Sequence, residues 1–296
     1  MKVVDLSKVQ MQEAGIIAFG FFDSIHIGHV KVIGDAVRLA KQEGTVSSVF
    51  LFRNNIFPLI GVKKYPIYTF EERLSLISDL GVDVVYYVDA DQTFLSLSPQ
   101  DFLLDLQERL NIKGFTCGVD FTFGKDGNGN VNDLISTIGG VYSISELMTV
   151  DGVKVSSERV KTALSDGDLD LVKRLLGRDF VIERKVISGR NDGSKIGFPT
   201  INNELFTVPL KQGVYFTKVL SDNILYQAVT NVGGHPTFDD EKVNIETFLL
   251  DYKGDLYEKT VKIVFFKYHR VITKFNCIDK LIERIQKDVD LRRKYD

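Results

Sequence analysis

Apolar residues along this chain follow two rhythms, and the change between them falls near residue 180. Ile16-Ile17-Ala18-Phe19 is a short unbroken apolar run closed by Gly20, the pattern of a strand buried on both faces of a parallel sheet. Over 28–43, Val30, Ile33, Ala36, Val37 and Ala40 recur every three or four positions and Gly44 follows, so the spacing predicts an amphipathic helix with a glycine stop. The unit then repeats as a strand over 46–52, a helix over 70–80, a strand over 82–88, a helix over 99–110 and a strand over 112–118. Strands alternating with helices predict an α/β domain built on a doubly wound sheet. A helical stretch is predicted over 153–176, and beyond it the segments become short, β-branched and separated by turn residues. Strands at 180–187, 213–219, 227–232, 245–250 and 260–266, with turns at Ser221-Asp222-Asn223 and Lys253-Gly254-Asp255, predict an antiparallel β-barrel. Ile278, Leu281, Ile282, Ile285 and Val289 share one face of a terminal helix over 277–289, which is expected to pack on that barrel. The domains are accordingly expected at 1–180 and 181–296.

Length supports the division, because 296 residues exceed the usual size of one domain. With 37 Lys and Arg against 40 Asp and Glu, the formal charge is -3, and the bulk positive field that non-specific nucleic-acid or anionic-membrane binding needs is missing. Nucleic acid and membrane are therefore not expected partners. The first residues mix charges into every short window, and no run of about 18 apolar residues occurs, so the expected compartment is the cytoplasm. Cys117 and Cys277 lie far apart and outside any CxxC pair, and both are expected to be small buried hydrophobes.

Five stretches stand out as candidates for chemistry. Where the strand ending at Phe19 hands over to the first helix stands His26-Ile27-Gly28-His29, two imidazoles and a glycine at a position where free N–H groups and the helix dipole favour an anion. A surface histidine pair or a zinc site is the alternative, although no third ligand is nearby and HExxH is missing. The run from Gly189 to Asn202 joins glycines to polar side chains directly after a strand; it lacks Gly-Lys-Ser/Thr and so is not a Walker A loop, and a plain β-turn loop is its alternative. Glu246 stands between apolar residues of a predicted strand, where parity points it inward or outward, and an ordinary exposed strand glutamate is the alternative to a catalytic one. Gly118-Val119-Asp120-Phe121-Thr122-Phe123-Gly124 reads as a turn bearing two aromatics, and Ser156-Ser157 as a helix N-cap.

Taken together these stretches resemble the prokaryotic bifunctional riboflavin kinase/FMN adenylyltransferase family, also called FAD synthetase, over nearly the whole chain. Phe22-Asp23-Ser24-Ile25-His26-Ile27-Gly28-His29 is similar to its FDGVHxGH, residues 118–124 to its GxDFxFG, and Ser156-Ser157-Glu158-Arg159-Val160-Lys161 to its SSTxxR. The resemblance implies a nucleotidylyltransferase-type first domain in which His26, His29, Ser156, Ser157, Arg159 and Lys161 contact ATP. Asp23, Gly118, Asp120, Phe121 and Phe123 would line the flavin and adenylyl pocket. Glu158 stands where the family has threonine, Lys161 where it has arginine, Ser24 where it has glycine, and Arg53-Asn54-Asn55 where it has a proline and histidine. The second half is similar to GRxxGxxxGFPTxN through Gly189, Arg190, Gly193, Gly197, Pro199, Thr200 and Asn202, which would bind ATP in a riboflavin kinase domain, Thr200 and Asn202 also holding magnesium. Asn231, Thr237, Asp255, Tyr257 and Arg270 match flavin-pocket positions, and Glu246 the catalytic base. The implied reactions take riboflavin and ATP to FMN, then FMN and ATP to FAD, with Mg2+. Two other readings stand beside this one at the level of sequence: a monofunctional riboflavin kinase with a degenerate first domain, and a flavin- or nucleotide-binding regulator without turnover.

Overall fold

The structure, a computed structural model, describes residues 1–188, 193, 196–204, 209–235 and 240–295, with the backbone alone at 204, 234, 235 and 240–243. The chain forms two compact units, Met1–Ser157 and Glu158–Asp296.

In the first unit β1 (Lys2–Asp5), β2 (Gln12–Ala18), α1 (Ile27–Glu43), β3 (Ser47–Phe52), α2 (Phe70–Ser78), β4 (Val84–Val88), α3 (Gln92–Leu95), α4 (Pro99–Arg109), β5 (Leu110–Gly118), α5 (Val131–Thr137) and β6 (Val141–Ser145) follow one another. The six strands pair in parallel in the order β1-β4-β3-β2-β5-β6. Alternate residues of β2 feed opposite cores: Ile16 and Ala18 pack with Ile33 and Ala36 of α1, while Ile17 and Phe19 join Phe50, Phe102 and Phe115 on the other face. Burial on both faces is why this strand reads as an unbroken apolar run. The chain winds from β2 outward to β3 and β4, then crosses back to β5 and β6, so the winding direction reverses between the adjacent strands β2 and β5.

Two further strands, β7 (Thr149–Val150) and β8 (Val153–Lys154), form a hairpin whose turn residues Asp151 and Gly152 have φ of 54° and 73°. Positive φ at both central positions is the geometry that Asp-Gly favours in a two-residue hairpin turn. The expected helix over 153–176 therefore starts late, since Val153–Lys154 is β8, and it breaks into two at Gly167, where φ is 73°.

The second unit holds those two helices, α6 (Ser157–Asp166) and α7 (Leu169–Leu176), then β9 (Phe180–Lys185), β10 (Thr200–Glu204), β11 (Gly213–Ser221), β12 (Ile224–His235), β13 (Asp240–Leu249), β14 (Thr260–Arg270) and α8 (Ile278–Arg293). The compact units thus divide at Ser157, earlier than the expected boundary at 180, because α7 packs on β14 and β9 of the barrel. The strands form an antiparallel sheet in the order β10-β13-β12-β11-β14-β9 that curls until Ile187 bridges Asn202, bringing its two edges together. Inside it the buried hydroxyls of Thr217, Thr230 and Thr247 form a chain across β11, β12 and β13, at 2.8 and 2.9 Å.

The terminal helix is present, but its grip on the sheet is more polar than expected. Ile278 is 63% exposed, whereas Asp288, Val289 and Arg292 are buried. Asp288 accepts from Arg270 Nη2 at 2.6 Å and pairs with His269 Nε2 at 3.0 Å and Arg284 Nε at 3.2 Å. Arg292 donates to the Thr217 carbonyl at 3.3 Å and lies over the Phe266 ring. The cysteines also divide, with Cys117 buried and Cys277 exposed ahead of α8. Burial pushes the Cys117 thiol up to about 12, so it is an inert core group as expected, while Cys277 is not buried.

Candidate active sites

Three loops leave neighbouring C-terminal strand ends in the first unit: 19–26 after β2, 118–124 after β5, and the segment from Ser145 into the hairpin after β6. Ligands of open α/β sheets bind where strand order reverses, outside those ends. A cavity of about 780 Å³ lies here, lined by His26, Gly28 and His29, by Gly118, Asp120, Phe121 and Phe123, and by Ser156 and Ser157. Parts of the chain more than a hundred residues apart are thereby brought to one place.

The histidine turn is tightly built. His26 caps α1, its Nδ1 accepting from the His29 amide at 3.1 Å, and the two imidazoles stack with centroids 3.7 Å apart. Gly28 leaves room for this fold-back, since a Cβ there would lie 3.1 Å from His26 Cε1. Phe22 and Ile25 hold φ of 47° and 45°, a left-handed conformation that is strained for such side chains and that gathers at functional sites. Ser24 Oγ meets Ser157 Oγ at 3.0 Å, which ties the histidine turn to the serine pair. Asp23 is buried and accepts from the Ile67 amide at 2.7 Å, so it braces the loop over 62–69 from inside the turn. Behind it lies Arg73, which motif reasoning missed: it is buried, donates to the Phe52 carbonyl at 2.7 Å, and burial holds its guanidinium below its ordinary value against the pull of Asp23 and Glu71.

On the opposite wall Phe121 stacks between Phe19 and Phe123, with centroids at 5.9 and 5.8 Å. Phe19 and Phe123 are buried in the core, and Phe121, only partly buried, is the ring of the three most open to the cavity. Asp120 forms an ion pair with Lys154 of β8. Of the stretch that departs from the family, Asn54 bonds both the carbonyl and the amide of Ala90, and Arg53 pairs with Asp89, so these residues fasten β3 to the end of β4. Arg159 and Lys161 belong to α6 of the second unit.

In the second unit strand register assembles the site. Asn202 of β10 stands directly opposite Glu246 of β13, and Glu246 in turn opposite Asn231 of β12, giving one transverse row across three strands. Thr200 lies two residues from Asn202 and so projects from the same face. Its strand entry is anchored by Phe198, which packs edge-on to Phe248 at 5.4 Å and whose amide donates to the Gly193 carbonyl at 2.8 Å. Gly193 is needed there, because a Cβ would lie 2.3 Å from the Phe198 carbonyl oxygen and 3.3 Å from Thr200 Oγ1. Gly197, with φ of 87°, turns the chain towards Pro199.

Other candidates fall elsewhere. Arg270 is committed to α8: Nε and Nη2 bond Asp288 while Nη1 bonds the Val271 carbonyl at 3.0 Å, an arrangement that makes it a strut between β14 and the helix. Asp255 accepts from the Tyr257 amide at 2.8 Å in an exposed turn, with Tyr257 44% exposed. Gly189, Arg190 and Thr237 lie outside the described residues.

The FAD synthetase family model matches residues 8–159, and the riboflavin kinase model residues 176–295. The bifunctional riboflavin kinase/FMN adenylyltransferase of Bacillus subtilis (strain 168) is 36% identical over 288 residues, covering 94% of this chain and 91% of that relative. Its counterpart in Escherichia coli (strain K12) is 31% identical over 291 residues, again covering 94% and 91%. The crystal structure of a protein named a macrolide-efflux protein, from Streptococcus pneumoniae, superposes with a TM-score of 0.87 at 27% identity over 100% of both chains. Among the described residues of the present chain, no helix is long and apolar enough to cross a membrane. Each unit having a family model of its own, and the relatives aligning almost end to end across both, the chain belongs to the family of bifunctional riboflavin kinase/FMN adenylyltransferases.

Proposed function

We propose that the chain makes FMN from riboflavin in its second unit and FAD from FMN in its first, with ATP as the second substrate of both reactions. The observation that carries the first step is the register row Asn202, Glu246, Asn231. Glu246 accepts the proton of the ribityl hydroxyl as that oxygen attacks the γ-phosphorus of ATP, and ADP leaves. The neighbouring strands hold Asn202 and Asn231 beside it as orienting amides, and Thr200 supplies a hydroxyl on the same face. A hydroxyl and an amide carbonyl are the hard oxygen donors that Mg2+ takes, and they stand two residues apart on one strand, so the donor set fits. Thr200 and Asn202 would hold the ion, which when bound neutralises phosphate charge. Riboflavin, FMN and ATP are then the molecules the chain engages, with FMN and FAD as products.

In the first unit the histidine turn and the start of α1 receive the ATP phosphates, where helix N–H groups and two imidazoles meet a developing negative charge. The FMN phosphate attacks the α-phosphorus and pyrophosphate leaves, so the protein's task is to orient two bound molecules and offset charge, without a covalent intermediate. Phe121, backed by the buried rings of Phe19 and Phe123, offers aromatic surface for the flavin or adenine.

The test is incubation of the full chain with riboflavin, ATP and magnesium, followed by chromatographic separation of the flavins. FMN appearing first and FAD second is the expected result. FMN as the sole product would assign the chain to the monofunctional kinases, and unchanged riboflavin would make it a binding protein.

A further inference from the structure

We propose that Lys154 is a phosphate-binding residue of the adenylyl-transfer site, held in reserve by Asp120; the proposal rests on the FMN adenylyltransferase reading of the first unit. Lys154 ends the short hairpin β7–β8, lines the cavity, and precedes Ser156 and Ser157 by two and three residues. Its position is set from both sides. The two-residue turn at Asp151 and Gly152 fixes the hairpin, the Val155 amide donates to the Met148 carbonyl at 2.8 Å, and Ser157 is tied to Ser24 beside the histidine turn. The ammonium is thus delivered to the same cavity that holds His26 and His29, on a strand rather than a mobile loop.

Charge gives the reason for a reserve. ATP and the FMN phosphate bring several negative charges to a cavity whose lining already includes Asp120, Asp126 and Glu146 and which has two lysines, Lys125 and Lys154. Lys154 is paired with Asp120 while both side chains remain half exposed, at 49% and 50%. Water screens such a pair, so it contributes little to stability and is cheaply broken. A phosphate carries more charge than one carboxylate and offers more acceptor oxygens, so in a cavity closed by substrate the ammonium transfers from Asp120 to phosphate by rotation of its stem. Asp120 comes from the loop after β5, where Gly118 leaves space for its carboxylate, as a Cβ at 118 would lie 3.1 Å from Oδ1.

The two partners of one ion pair therefore have opposite effects, which a merely structural latch would not. Steady-state FAD formation by the full chain, with FMN and ATP varied in turn, is compared for the parent, Lys154→Met, Lys154→Arg and Asp120→Asn, and riboflavin phosphorylation in the same samples reports folded protein. Lys154→Met is expected to raise the KM of the substrate whose phosphate it contacts by about tenfold or more, and Lys154→Arg to stay within about threefold. Asp120→Asn, which frees the lysine, is expected to lower that same KM by about two- to fivefold. The substrate whose KM moves, ATP or FMN, identifies the phosphate. An unchanged KM in Lys154→Met, or equal impairment by Lys154→Met and Asp120→Asn, would overturn the proposal. A parent that makes FMN and no FAD removes the adenylyltransferase reading itself, an outcome separate from either of these.

Discussion

At Glu246 the chemistry depends less on the carboxylate than on what stands beside it. A glutamate alone on a strand is commonplace; one flanked in register by Asn202 and Asn231, with Thr200 on the same face, has the neighbours that the proposed role of proton acceptor asks for. Glu246→Gln keeps the shape and the amide neighbours and removes only the acceptor, so kcat for FMN formation is expected to fall about 100-fold or more while the KM for ATP moves little. Activity within a few-fold of the parent would reduce Glu246 to a strand residue. The types and spacings of His26, His29, Thr200, Asn202 and Glu246 were legible in the sequence because each belongs to a short local segment. Arg73 was not, since its role comes from burial behind Asp23, nor was the bond from Arg270 to Asp288, which lies 18 residues away on another element.

Elements add a second kind of information. The helix α1 could be read from its period and its Gly44 cap, which adopts φ of 62°, because both signals are local. The hairpin β7–β8 has an equally local signal in Asp151-Gly152, hidden by the apolar spacing that follows it. The helix α8 shows the limit of reading an apolar face, for its deepest residues are Asp288 and Arg292. Asp288 is buried and gathers Arg270, Arg284 and His269, and its removal would leave these partly buried donors without their acceptor. Asp288→Ala is expected to destabilise the second unit by about 3–5 kcal/mol, whereas Asp290→Ala, on an exposed position of the same helix, should cost about 0.5 kcal/mol or less. Urea titration of riboflavin phosphorylation, compared between the two variants, measures the difference; equal midpoints would show that the helix is held by its apolar residues.

For the whole molecule, the division at Ser157 puts the histidine turn in one unit and Glu246 in the other. Independent sites follow, and crossed substitutions test them. His29→Ala should lower FAD formation from supplied FMN by about 100-fold, the scale of losing one charge-stabilising donor, and leave FMN formation near the parent rate. Thr200→Ala should impair FMN formation and spare FAD formation from FMN, both read by chromatography on the same preparations. Equal loss of both activities in either variant would join the two sites into one. The amino-acid sequence by itself determined the α/β half, the antiparallel half, most of their elements and the segments that carry chemistry, because periodicity, caps and turn residues act over a few positions. Only the tertiary structure decided that the loops after β2, β5 and β6 share one cavity, that Asn202, Glu246 and Asn231 form a row, that Lys154 meets Asp120, and that α6 and α7 belong with the barrel. Those outcomes depend on strand order, register and packing between distant segments, which are settled by the whole fold and leave no local period to read.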